Sequence, residues 1–351
     1  MTCTDDILGG GRFAQTEHMS PALTLRAAIT RGALISLANW QIVVIDFVVE
    51  SLFNVAVAVP VVGGAFMVAV LLGVEVGSLL DDGVLTAADR IRLALEQAPV
   101  ALAAFLAALT LVSIGGAVLM FVAKSGTLSV LADGDRSAGE LQRSPLGSSG
   151  LRSARVFALA AVLAAIRRFR RRAAVLAIWL GGVYFVVCVG YILVVGYGFQ
   201  WAAAAGWVQA WPLLVLVSTS AGLITLTAAN LLFDLVRVAM INDDCGLGVA
   251  WRRVRLFLLT DSRQVLGIFG AMAVVTVLAT LASVTATWGL ALVAWVPLAG
   301  LIVLPLQAAF WIVRGLFFQF TGLTTLSAYQ TQYRRFSSPG PAAVEFQVQE
   351  A

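Results

Sequence analysis

One histidine and one lysine, His18 and Lys124, stand in a chain of 351 residues. A single imidazole removes multi-histidine metal sites and makes a Ser-His-Asp arrangement improbable. The three cysteines, Cys3, Cys188 and Cys245, have no paired spacing, so neither a disulfide framework nor a zinc site is indicated. GxSxG, HExxH, Walker and EF-hand spacings are missing. Gly63-Gly64 and Gly115-Gly116 match no phosphate-binding loop. Asp243-Asp244-Cys245-Gly246 lacks the longer Asp/Gly/Ala/Arg pattern of lipid-headgroup transferases. These absences leave no catalytic residue, no metal ligand and no cofactor to assign, and an enzyme is the least favoured reading.

Charge is scarce too. Asp, Glu, Lys and Arg make up 12% of the chain and apolar residues 60%, against about 25% and 45–50% in soluble domains. The chain reads as an all-α, polytopic helical membrane protein. Its net charge of +4 comes from arginines beside apolar runs, a topology signal rather than a nucleic-acid-binding one. Residues 1–20 are polar, with no apolar core ahead of a small-residue cleavage site, so the first span is expected to insert uncleaved.

The apolar runs predict a single membrane domain over 21–329, between a polar N-terminal tail (1–20) and a polar C-terminal tail (330–351). Six spans fall near 33–58, 98–123, 174–197, 210–236, 264–286 and 291–313. Pro60 and Gly63-Gly64 are expected to break the first span, leaving 65–76 too short to cross. Thr287-Trp288-Gly289 reads as a tight turn. Pro297 and Pro305 should kink span six. The acidic stretch 78–97 contains Thr86-Ala-Ala-Asp89, which has the form of a helix cap box. Residues 155–166, too short to cross, read as an interfacial helix ending in Arg167-Arg168-Phe169-Arg170-Arg171-Arg172.

Section 124–173 carries ten basic residues and section 237–263 five, whereas the 198–209 and 287–290 connections carry none. The basic sections and both termini therefore belong in the cytoplasm, the protein in the inner cell membrane. Seven spans with the N-terminus outside is the rival topology. The six spans form three hairpins whose even members end alike, at Leu119-Met-Phe121, Leu232-Phe233-Asp234 and Leu316-Phe317-Phe318. The first two lead to the acidic turns Asp133-Gly-Asp135 and Asn242-Asp243-Asp244.

The segment Asp234-Leu-Val-Arg237 through Asp243-Asp244 to Ala250-Trp-Arg252-Arg253 resembles a stretch in uncharacterised bacterial multi-span proteins. Among these is the membrane domain associated with glycerophosphodiester phosphodiesterases. The resemblance covers about 210–260 and the span layout. It implies a helical membrane module; the soluble phosphodiesterase domain is missing, so that activity does not transfer.

Three sets of residues are candidates for function. Asn39, Asp46, Glu50 and Asn54 share an arc of about 80° on one apolar helix. Ionisable groups in a span default to a functional hypothesis. They could form a proton or cation site, or pair structurally. By rise alone Glu50 lies about 22 Å past Leu34–Ile35, in the outer half, where Arg90 and Arg92 of the 65–97 segment are the expected cover. Arg167, Arg168, Arg170, Arg171 and Arg172, with Arg252, Arg253 and Arg255, are candidates for contact with lipid headgroups, anionic ones included. Asp234 and Arg237 fit an i,i+3 ion pair at the inner interface. Two readings stay open: a non-enzymatic scaffold or accessory protein binding lipids or membrane-protein partners, and a small ion-coupled transporter using Asp46 and Glu50.

Overall fold

The structure is a computed structural model that describes residues 24–72, 98–139, 148–294 and 299–337. The N-terminal tail, the acidic stretch 78–97 with its cap box, Pro297 and the end of the C-terminal tail lie outside the described residues. Those described are helical, with no strand among them. The helices are α1 (Leu25–Ala38), α2 (Trp40–Leu72), α3 (Pro99–Ser137), α4 (Ser148–Ser153), α5 (Leu159–Ala204), α6 (Trp211–Asn242), α7 (Leu247–Ala294) and α8 (Ala299–Ser337). Among the described residues, five (α2, α3, α5, α6 and α7) are long and apolar enough to cross a membrane.

The helices are longer and less interrupted than the sequence predicts. The expected break at Pro60 and Gly63-Gly64 does not occur: α2 continues to Leu72. Proline in a helix removes one hydrogen bond, a defect that a membrane helix among neighbours tolerates. The basic run 167–172 does not end an interfacial helix either. It lies inside α5, which runs unbroken over 46 residues. The expected turn at Thr287-Trp288-Gly289 is helical, within α7. The sharp changes come elsewhere, at Asn39 between α1 and α2 and at Asp261, whose φ/ψ of −123°/26° kinks α7. The polar tail expected from 330 begins as α8, which reaches Ser337 and buries Gln330 and Tyr333.

At 1.5 Å per residue, α2 is about 50 Å long and α5 about 69 Å, well beyond the ~30 Å of bilayer hydrocarbon. The excess separates each helix into two zones. In one zone large apolar side chains face outward: Leu52, Val59 and Phe66 on α2, Leu111 and Leu119 on α3, Phe185 and Ile192 on α5, Leu216 and Ile224 on α6. Water would not tolerate so continuous an apolar surface, whereas lipid chains would cover it. In the other zone the same helices bury their faces together.

That packed zone is built around the last turns of α3, α6 and α8, which contact one another pairwise. Leu128 and Ala132, Leu235, Val236 and Val238 to Ile241, and Ala328, Tyr329 and Tyr333 supply its core. Outside them lie α1 and the first turns of α5 and α7. α1 lies on α8 so closely that a Cβ on Gly32 would sit 2.6 Å from the Thr324 carbonyl oxygen. α5 lies on α3, with Ile166 filling the space over Gly126. α7 meets α6, where Trp251 stands edge-on to Phe233 at 6.1 Å. In addition α2 packs along α3, α5 along α6 and α7 along α8. The arrangement is cyclic: each outer helix rests on the inner helix of the preceding pair, and α1 on α8 closes the ring.

Candidate functional site

The polar stripe on α2 divides into three parts with different fates. Asn39 sits where α1 ends and α2 begins, fully buried. Its Nδ2 donates to the carbonyls of Ile35 (3.1 Å) and Ala154 (2.8 Å), and its Oδ1 accepts from the Val156 amide (3.2 Å). The side chain thus bolts the α1–α2 corner to the backbone ahead of α5. Gly134 leaves room for this crossing, since a Cβ there would lie 3.1 Å from the Ala154 oxygen. Asn39→Ala is expected to leave the Ala154 carbonyl and the Val156 amide without this partner, at about 1–3 kcal/mol per group. Denaturant unfolding of the purified protein would register it. A stability equal to wild type would remove Asn39 from this role.

Among the described residues Asp46 and Glu50 meet α3; Arg90 and Arg92, their expected cover, lie outside the described residues. Asp46 is 1% exposed and accepts a long hydrogen bond from Thr127 Oγ1 at 3.4 Å. Its Oδ1 has no partner. Glu50 Oε2 accepts from Lys124 Nζ at 2.8 Å and from Gln319 Nε2 at 2.6 Å. Lys124, which is not among the expected partners, thus holds Glu50. The chain's one lysine lies directly opposite it, because α2 and α3 run antiparallel and α3 reaches past the apolar zone. Arg237 lies within electrostatic reach of Asp46 as well. Asn54, one turn beyond Glu50, is exposed and borders a cleft of about 250 Å³ between α2 and α8.

The remaining candidates lie in the packed zone. Arg237 donates to Asp234 at 2.6 Å and stacks over the Phe121 ring at 4.7 Å. Only part of the basic run is paired. Arg168 and Arg172 both hold Asp244, while Arg167, Arg170 and Arg171 are exposed and make no ion pair among the described residues. Burial works against the Asp244 charge, but the hydrogen bonds and charges of Arg168 and Arg172 outweigh it and hold its carboxyl below the ordinary value. Arg253 pairs with Asp243 at 2.7 Å; Arg252 and Arg255 are exposed. Asp243 also accepts a hydrogen bond from the Tyr333 hydroxyl. Burial first, and then this hydrogen bond, pushes the Tyr333 phenol well up, so it remains a donor.

The most heavily bonded acid is one the sequence left inside an unremarkable turn. Asp135 is 2% exposed. Its Oδ1 accepts from Arg31 Nε at 2.6 Å and Thr331 Oγ1 at 3.1 Å, its Oδ2 from Arg334 Nη1 at 2.5 Å. Arg31 also reaches the Asp135 and Gly139 carbonyls, at 2.9 and 2.5 Å. One carboxylate therefore joins α1, α3 and α8. Only the spacing of Asp133-Gly-Asp135 before a linker hinted at it, since both bases are more than a hundred residues away.

No group of three or more metal-ligating side chains occurs among the described residues. No protein-family model, curated protein or solved structure matches this chain.

Proposed function

We propose that this chain is a non-enzymatic multi-pass scaffold of the inner cell membrane that binds lipids and membrane-protein partners. In this reading α8 is a sixth span, the six form three hairpins, and the packed zone lies in the cytoplasm with both termini. The pairing of α2 with α3, α5 with α6 and α7 with α8 supports the hairpins. The arginines gathered at the packed end support the orientation. Reporter fusions at the two termini should read the same side; opposite sides would sink the six-span topology.

The observation that carries the scaffold reading is the occupancy of the acidic stripe. Asp46 is covered by Thr127, and Glu50 is tied to Lys124 and Gln319. A carrier needs its acids on a water path that opens to both sides; Asp46 is buried against side chains, and Glu50, which lines the cleft, has its charge held by Lys124. Arg167, Arg170, Arg171, Arg252 and Arg255, exposed and without an ion pair among the described residues, can meet an anionic membrane surface, each contributing about 1 kcal/mol. The second reading, an ion-coupled carrier, is favoured by the cleft that opens beside Glu50.

A double variant, Asp46→Asn with Glu50→Gln, separates them. For a scaffold, proteoliposomes should show no ion flux that depends on these two acids. Affinity purification from native membranes should return the same proteins and lipids as wild type. A proton or cation flux abolished by the double substitution would establish the carrier instead.

A further inference from the structure

The cleft between α2 and α8 has a chemistry that neither the acidic stripe nor the basic run explains. Its volume is about 250 Å³, and its lining includes Phe47, Glu50, Asn54, Trp311 and Arg314. Arg314 sits on an otherwise apolar stretch of α8, five residues outward of Gln319. It is exposed, stacks at 5.7 Å on the Phe318 ring, and makes no ion pair among the described residues. An arginine at the edge of an apolar zone is costly unless something pairs with it. Glu50 does not supply the pair: its Oε2 holds Lys124 and Gln319 behind the cleft, and Arg314 is outside salt-bridge range. Among the described residues, the cleft wall therefore carries a neutralised acid and a cation with no acid paired to it.

We propose that this cleft holds the phosphodiester of one anionic phospholipid with a polyol headgroup. The guanidinium presents a planar fork of donors suited to phosphate oxygens. Asn54 and Ser51, one turn apart on the facing wall, offer donors and acceptors to headgroup hydroxyls. Glu50 Oε1, which takes part in none of that acid's bonds, can accept from one of them. A zwitterionic headgroup is disfavoured, because its own ammonium offsets the phosphate charge beside Arg314, and the carboxylate on the cleft wall is already held by Lys124. The volume fits this division of the ligand. Pockets that engulf whole small molecules run about 300–1,000 Å³, so this one takes a headgroup and leaves the acyl chains outside. There the exposed face of Trp311, set edge-on to Phe47 at 6.0 Å, provides an amphipathic rim of the sort found at membrane interfaces. Gly315 lets the Phe47 ring lie directly against α8, where a Cβ would collide with it.

The inference rests on the chain being a lipid-binding scaffold, a reading that fails separately, in the flux assay above. Native mass spectrometry of the full-length protein in non-ionic detergent tests the site itself, with phosphatidylglycerol and phosphatidylcholine titrated in parallel. One phosphatidylglycerol should bind about tenfold more tightly than phosphatidylcholine, and Arg314→Gln should remove that preference, the size expected for one charge-assisted phosphate contact. Arg152→Gln, an exposed arginine on α4, should leave it intact. Should Arg314→Gln not fold, Asn54→Leu decides, because it fills the cleft from α2 and keeps the cation; it should weaken binding by a similar factor. Inorganic phosphate or glycerol phosphate at millimolar concentration should not displace the lipid. Unchanged phosphatidylglycerol binding in the variants, equal binding of the two lipids, or displacement by the soluble phosphates would each overturn the proposal.

Discussion

Asp135→Ala is expected to be the most damaging single substitution in the packed zone, at about 3–5 kcal/mol, the usual cost of removing one member of a buried ion pair. The alanine takes away the carboxylate that Arg31, Arg334 and Thr331 share. Two cations from α1 and α8 then meet across a site with little water. Asp135→Asn should fall between wild type and alanine, since an amide keeps one acceptor but not the charge. The neighbouring Asp133 provides the control. It is largely exposed and among the described residues pairs only with Arg136 one turn on, at 3.1 Å, so Asp133→Ala should change stability by no more than about 1 kcal/mol. Thermal unfolding in detergent, at one scan rate, compares the three variants. If Asp135→Ala and Asp133→Ala unfold together, the three-helix junction has no energetic role.

The second large effect is steric. Gly32→Val should loosen α1 from α8, because the added Cβ would meet the Thr324 oxygen at 2.6 Å and the Ala328 nitrogen at 3.0 Å. Both obstacles are backbone and cannot rotate aside, so the cost should reach the upper part of the about 1–3 kcal/mol typical of overpacking. α1 is also the helix that closes the ring. Cysteines introduced at Ser36 and Thr324 should cross-link less readily with Gly32→Val than without it. Gly181 has nothing within 4 Å of the position its Cβ would take, and Gly181→Val should leave both stability and cross-linking unchanged. Equal behaviour of the two valine variants would show that the close approach of α1 to α8 does not matter.

The two variants differ in how much of their effect the sequence announces. Gly32 sits before an apolar run where glycine attracts no notice; its meaning appears only with the Thr324 carbonyl above it. Asp135 reads as part of a linker-side turn, because its two arginines lie at positions 31 and 334. The same holds for Glu50. Counting rise along one continuous helix from Leu34 gives it a depth but no partner. α1 and α2 are instead separate helices hinged at Asn39, and α3 continues beyond the apolar zone far enough to bring Lys124 opposite Glu50.

The apolar composition and the long stretches without charge determined by themselves that the chain is helical and suited to a membrane, since backbone groups in lipid must be satisfied within each segment. They also fixed which residues would stand out: four polar positions on one helix, a run of arginines and a few acids. Sequence could not say where the helices would stop. Pro60, the basic run and Thr287–Gly289 look like punctuation, yet the helical bonds continue through them. Nor could it say which charge meets which. Pairing between α1, α3 and α8, or between α2 and α3, is set by helices whose contacts lie roughly a hundred residues or more apart in several cases, and no local pattern encodes such a distance. Tertiary packing alone decided that the acidic stripe meets Thr127, Lys124 and Gln319, and that Arg314 faces an open cleft. A buried charge takes the partner that the crossing of helices brings within reach, and that crossing follows from the whole bundle rather than from any one stretch of it.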